Sequence, residues 1–159
     1  MPSSQQTDPR FYSRPEPISD NSLPLLQWKR AIEFVKLRHH VWSQHLLEWS
    51  ERAHPELNLS VPKCEVWFTA PRKAGMYRTK SKTCVYYLPY AMLEAGFDST
   101  IAHECCHHFQ YLIYPSGKWH GDFFYYLLQR VCGYNRGRCH NYDVGKAKQL
   151  AQFLKGLKS

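Results

Sequence analysis

His103-Glu104-Cys105-Cys106-His107 puts two imidazoles and a carboxylate at a spacing that can bind and use a metal ion. An α-helix turns about 100° per residue, so residues four apart share one face, one turn from each other. Two imidazoles so placed can hold one Zn²⁺ with nitrogen ligands at about 2.0–2.1 Å. Glu104 falls one residue after the first histidine, within reach of a water on the ion without ligating the ion itself. A carboxylate there accepts the water's proton while the ion lowers the water's pKa. The competing reading is a pair of histidines on an ordinary helix, since the chain has nine.

A catalytic zinc site generally takes three protein ligands and leaves one position open. A downstream Glu, the third ligand in one large class of zinc peptidases, is excluded, because no Glu follows Glu104. The extended H-E-x-x-H-x-x-G-x-x-H pattern with a later Met turn is excluded as well. Its last two fixed positions hold Gln110 and Ile113, and no Met follows Met92. His108, His120, Asp122, His140 and Asp143 remain. His108 adjoins His107 and so points about 100° away from it. His120 is better placed: it follows the turn Tyr114-Pro115-Ser116-Gly117-Lys118 and opens a second apolar-periodic segment.

These groups need elements to position them. Asp98-Ser99-Thr100 supplies N-cap candidates. Ile101, Ala102, Cys105, Cys106, Phe109, Leu112 and Ile113 recur at helical spacing until Pro115 and Gly117, which predicts a helix over 99–113 buried on most sides. Upstream, 64–70 alternates as a half-buried strand. Residues 83–88 are β-branched and aromatic, a second strand, and 75–79 pairs with it through Lys80-Ser81-Lys82. Pro89 stops that strand and 90–95 reads as a short helix. Residues 23–53 are mostly helical, as one long helix or two packing under the sheet. Residues 143–157 close the chain as an amphipathic helix bearing Lys146, Lys148, Lys155 and Lys158. The expected fold class is α+β: a zincin-like single domain over 23–159 with a small three-stranded, antiparallel-type sheet. An edge strand of such a sheet can pair with an extended peptide, and the Gly75–Thr79 arm is the candidate.

Several stretches together resemble the SprT-like domain, the metallopeptidase domain of SprT and Spartan-type proteins. They are Ala74-Gly75-Met76-Tyr77-Arg78, Val85-Tyr86-Tyr87-Leu88-Pro89-Tyr90-Ala91-Met92-Leu93, Thr100 to His108, and His120-Gly121-Asp122-Phe123-Phe124. The resemblance covers roughly 23–142. It implies one Zn²⁺ per chain on His103, His107 and His120, with Glu104 as general base. Arg138-Cys139-His140-Asn141-Tyr142 looks like that family's basic, His-containing segment after the catalytic helices. Many SprT-like proteins also carry a zinc ribbon with paired C-x-x-C ligands. This chain has six Cys and no C-x-x-C, so a second, structural zinc is not expected. Tyr77, Tyr125, Arg138, His140 and Tyr142 are the candidate oxyanion or substrate contacts, and the sequence does not choose among them.

Composition bounds the rest. Five of the first 24 residues are Pro, among Ser, Gln and Asp, and 1–22 is expected to be a disordered tail without the apolar core of a secretory signal. No stretch is long and apolar enough for a membrane span. Six Cys without a secretion signal favour reduced thiols in the cytoplasm, near the nucleoid, or in a nucleus. Cys105 and Cys106 read as core packing, and a Cys132–Cys139 disulfide is not favoured. His39, His40, His45 and His54 read as surface residues rather than ligands. The net charge is +8, and after Glu104 eight basic residues stand against two acidic ones. Arg72, Lys73, Arg78, Lys80 and Lys82, beside Tyr77, Tyr86 and Tyr87, suit a nucleic-acid backbone with stacked bases. Together with these basic patches, the resemblance, whose family is associated with DNA–protein crosslinks, implies zinc-dependent cleavage of protein substrates on DNA, including such crosslinks, with single-stranded DNA as one candidate form. The alternative is a non-catalytic, zinc-stabilised DNA-binding or adaptor module, whose metal would carry a fourth protein ligand such as His140 or Asp122.

Overall fold

Residues 28–94, 96–135 and 143–158 are described by a computed structural model of the chain. Helix α1 spans Trp28–Ala53 without a break. Ala31, Val35, His39, Trp42, Leu46 and Ser50 are buried at steps of three and four, a stripe that one straight helix satisfies. Strands β1 (Lys63–Trp67), β2 (Gly75–Arg78) and β3 (Thr83–Tyr87) follow, then α2 (Leu88–Leu93) and α3 (Phe97–Ile113). Helix α4 (Asp122–Tyr126) runs into a π-helical turn at Leu127–Val131, and α5 spans Val144–Lys158. The fold is α+β.

The sheet order is β1-β3-β2, and it corrects the expected antiparallel arrangement. β2 pairs with β3 antiparallel, but β1 pairs with β3 in parallel, Cys64 opposite Cys84. The cause lies in β3: all five of its residues are buried, so it takes the centre and is paired on both edges. β2 and β1 are left as the two edge strands.

Pro89 does more than stop β3. It occupies the first turn of α2, where its missing N–H costs nothing. The start of α3 also differs from expectation. Gly96, in the left-handed region at φ 82°, is the N-cap, and no side chain caps the helix. Asp98 is fully buried instead and accepts hydrogen bonds from Arg38 Nε (2.6 Å), Arg38 Nη2 (3.1 Å), Trp42 Nε1 (3.1 Å) and the Tyr134 hydroxyl. This network ties α3 to α1 and to the segment after the π-helical turn.

Two histidines expected at the surface are buried. His39 Nε2 donates to Pro62 O (3.0 Å), and its Nδ1 meets the Tyr86 hydroxyl (2.7 Å). His45 Nε2 donates to Val131 O at 2.7 Å. Each imidazole can go inside because a backbone carbonyl accepts from it. His40 is exposed and His54 half-buried. Cys105 and Cys106 are both buried; Cys106 Sγ lies 3.7 Å from Cys132 Sγ. Cys139, the other half of the disulfide considered from sequence, and the tail at 1–22 lie outside the described residues.

Candidate metal centre

Helix α3 carries His103, Glu104 and His107 in its middle, and the turn after it returns the chain so that His120 faces them. His103 Nε2 lies 3.1 Å from His107 Nε2 and 3.1 Å from His120 Nε2. Ligands about 2.0–2.1 Å from a tetrahedral ion stand about 3.3 Å apart, so the three nitrogens converge at close to that spacing.

The return to His120 uses an unusual backbone. His120 has φ 60°, a left-handed conformation uncommon for a residue with a side chain. Gly121 follows and its N–H donates to Lys118 O at 2.8 Å. A Cβ on Gly121 would sit 2.8 Å from that same oxygen, so only glycine fits. His120 therefore lies in the turn ahead of α4 and not on a helix.

Aromatic rings hold the imidazoles in place. Trp119 stacks on one side of His107, with centroids 4.2 Å apart and planes 9° apart. Phe124 also stacks on His107 (4.4 Å, 24°) and meets His103 and His120 edge-on at 4.8 and 5.0 Å. Phe124 is fully buried, so the three ligand candidates share one apolar floor. Sequence reasoning did not assign a role to Trp119 or Phe124. The only available signal was their position around His120-Gly121.

The electrostatics suit a cation. Burial, then the neighbouring His103 and His120, pull the His107 pKa down to about 2. Burial lowers that of His120 as well. Neutral rings with their lone pairs turned to one point are a donor set for a divalent ion. Among the described residues, no Cys, Asp or Glu joins this group; Asp122 is exposed and outside it.

Glu104 is 6% exposed, and burial pushes its carboxyl up to about 8, against the lowering effect of the Lys73 cation. Edge strand β2 passes directly beside it: a Cβ on Gly75 would lie 3.0 Å from Glu104 Cγ.

The other candidates are less concentrated. Tyr77 donates its hydroxyl to His108 Nδ1 (2.7 Å), and His108 Nε2 donates to Ser60 O (2.7 Å), so both residues clip the sheet to the Ser60 segment. Tyr77 also faces Trp119 at 6.3 Å. Tyr125 is half-buried with its ring 5.2 Å from Phe124. Arg138, His140 and Tyr142 lie outside the described residues. Arg72, Lys73, Arg78, Lys80 and Lys82 are all exposed. Arg72 and Lys73 precede β2 while Arg78, Lys80 and Lys82 gather at its other end, about 10–13 Å of strand away. Lys73 Nζ contacts Met76 Sδ (3.2 Å) and the Arg78 guanidinium lies over Trp67 (5.8 Å).

A second group, His39, Cys84 and Cys105, also brings metal-ligating atoms together, all buried. Its hydrogen bonds close without an ion: Pro62 O takes the His39 Nε2 proton, and the Tyr86 hydroxyl lies 2.7 Å from Nδ1.

The model of the SprT-like family matches residues 42–142, a span that contains α3, His120 and the sheet. No curated protein and no solved structure matches the chain.

Proposed function

This chain belongs to the SprT-like family, and from that premise we propose that it is a zinc-dependent endopeptidase acting on DNA-associated proteins. The observation that carries the reading is the convergence of His103, His107 and His120 Nε2 with a buried carboxyl on the next residue of the same helix. Zinc, when bound there, supplies Lewis acidity, lowering the pKa of water and polarising a carbonyl. With a cation bound beside it, the Glu104 carboxyl would ionise against the burial that raises its pKa, accept the proton of the attacking water and deliver it to the leaving amine nitrogen. β2, an edge strand among the described residues and beside Glu104, offers one side of its backbone to an extended substrate. The exposed lysines and arginines flank β2 in the sequence at both of its ends, where they can contact a phosphate backbone.

The test is Glu104→Gln in the full chain. The variant is expected to fold and bind one Zn²⁺ but to lose cleavage of a DNA-bound protein. Cleavage at the parent rate would remove Glu104 from the chemistry. A fourth protein ligand on the bound metal would favour the non-catalytic module instead, and among the described residues none stands with the three histidines.

A further inference from the structure

Two buried polar atoms beside the metal centre lack partners, and they are complementary. Among the described residues, neither His107 Nδ1 nor Oε1 of Gln110, which is 1% exposed, has a hydrogen-bond partner. Gln110 lies three residues after His107, on the same face of α3. Its Nε2 donates to Lys118 O at 2.7 Å. A carbonyl only accepts, so this bond settles which end of the carboxamide is nitrogen and leaves Oε1 as the spare acceptor.

A neutral imidazole that turns its Nε2 lone pair to an ion must carry its proton on Nδ1. His107 then has a donor lacking an acceptor, within one helical turn of an acceptor lacking a donor. Trp119 and Phe124 fix the plane of the ring from its two faces, but stacking does not choose the tautomer. A hydrogen bond at Nδ1 does, and partners of this kind orient ligating histidines.

We propose that Gln110 is the positioning residue of this centre, accepting the His107 Nδ1 proton and holding, through Lys118 O, the turn that delivers His120. One carboxamide thus couples the second ligand to the third. This inference rests on the reading of the three histidines as a zinc site.

The test is the Zn²⁺ affinity of the full chain, measured by competition with a chromophoric chelator, for the parent, Gln110→Leu and Gln110→Glu. Leucine removes the acceptor, and affinity is expected to fall about 10–100-fold. A glutamic acid keeps an acceptor in place, so its affinity should lie nearer the parent's than the leucine variant's. The ¹⁵N shifts of the His107 ring supply a second readout: a protonated Nδ1 in the parent and the Glu variant, and a tautomer mixture in metal-free Gln110→Leu. Where leucine does not fold, Gln110→Met replaces it. A parent that binds no zinc overturns the metal site itself. A parent that binds zinc no more tightly than Gln110→Leu overturns the role of Gln110 alone. Equal weakening by Leu and Glu, with the tautomer unchanged, leaves only the contact to Lys118 and overturns it as well.

Discussion

Gly75 of the edge strand stands against Glu104 of α3 so closely that a methyl group would lie 3.0 Å from Glu104 Cγ, 3.2 Å from Thr100 Cγ2 and 3.3 Å from Val85 O. One of those neighbours is backbone and cannot yield. Gly75→Ala is therefore expected to displace the Glu104 side chain and to cost about 1–3 kcal/mol of stability, as overpacking does. Cleavage should fall by more than the stability loss explains, because a misplacement of about 1 Å can cost about 100-fold in rate. Zinc content should stay at the parent level, since no ligand moves. Urea unfolding, metal analysis and a cleavage assay on the same preparation separate the three effects; full activity in a folded Gly75→Ala protein would show that β2 does not constrain Glu104.

In the metal-free protein the titration of Glu104 at this centre opposes that of His107, and His120, whose pKa burial also lowers, acts in the same sense as His107. The Glu104 carboxyl ionises at about 8 when folded against an ordinary 4.5, chiefly because it is buried. The unfolded chain thus gives up that proton first, and stability falls as pH rises from 4.5 to 8, by about 1.4 kcal/mol per unit. His107, held at about 2 by burial against an ordinary 6.5, acts the other way, and its stability is lost as pH falls below 6.5. Between 4.5 and 6.5 the histidines oppose Glu104; above 6.5, of these three groups, Glu104 alone acts. Denaturant unfolding of chelator-treated protein should show the parent losing about 2 kcal/mol more than Glu104→Gln between pH 6.5 and 8. Parallel pH profiles for the two proteins would mean that Glu104 ionises normally.

His103, Glu104 and His107 are legible in the sequence because their relation is local: helical periodicity alone puts them on neighbouring positions of one turn. His120 is legible only as a candidate, because what brings it back is a left-handed residue followed by a glycine with no room for a Cβ. Asp98 shows the limit of the same local reasoning. Its type suits a helix cap, but Arg38 and Trp42, about 60 and 56 residues away, claim its oxygens. Alternation likewise identifies β1 as a strand without saying whether its partner runs parallel, which depends on β3 being apolar enough to sit in the centre. The buried His39 and His45 follow the same rule, since their carbonyl partners come from distant segments.

The Asp98 network predicts a stability effect without a direct chemical one. Asp98→Ala leaves the Arg38 guanidinium, whose side chain is 13% exposed, without its carboxylate. Removing one member of a buried pair costs about 3–5 kcal/mol. Thermal unfolding should report that loss, and added Zn²⁺ should recover part of it by binding only the folded state. A loss under about 1 kcal/mol would mean that the other surroundings of Arg38, the Trp42 ring among them, take over from Asp98.

Trp119 and Phe124 both stack on His107, yet they should fail differently. Phe124 is fully buried under all three imidazoles, so Phe124→Ala leaves a cavity and is expected to cost about 3–5 kcal/mol, with zinc lost as a consequence. Trp119 is 42% exposed and covers His107 from outside. Its truncation removes little core, so Trp119→Ala should leave unfolding of the metal-free protein within about 1 kcal/mol of the parent. Its effect should instead appear in Zn²⁺ affinity, because the uncovered ring regains freedom that ligation must then remove, and His107 becomes open to protons. That second effect has a sign: the loss of affinity in Trp119→Ala should widen as pH falls below 6.5, the ordinary histidine value that burial now suppresses. Chelator competition at pH 7.5 and 6 measures it, and a pH-independent loss would assign Trp119 to packing alone.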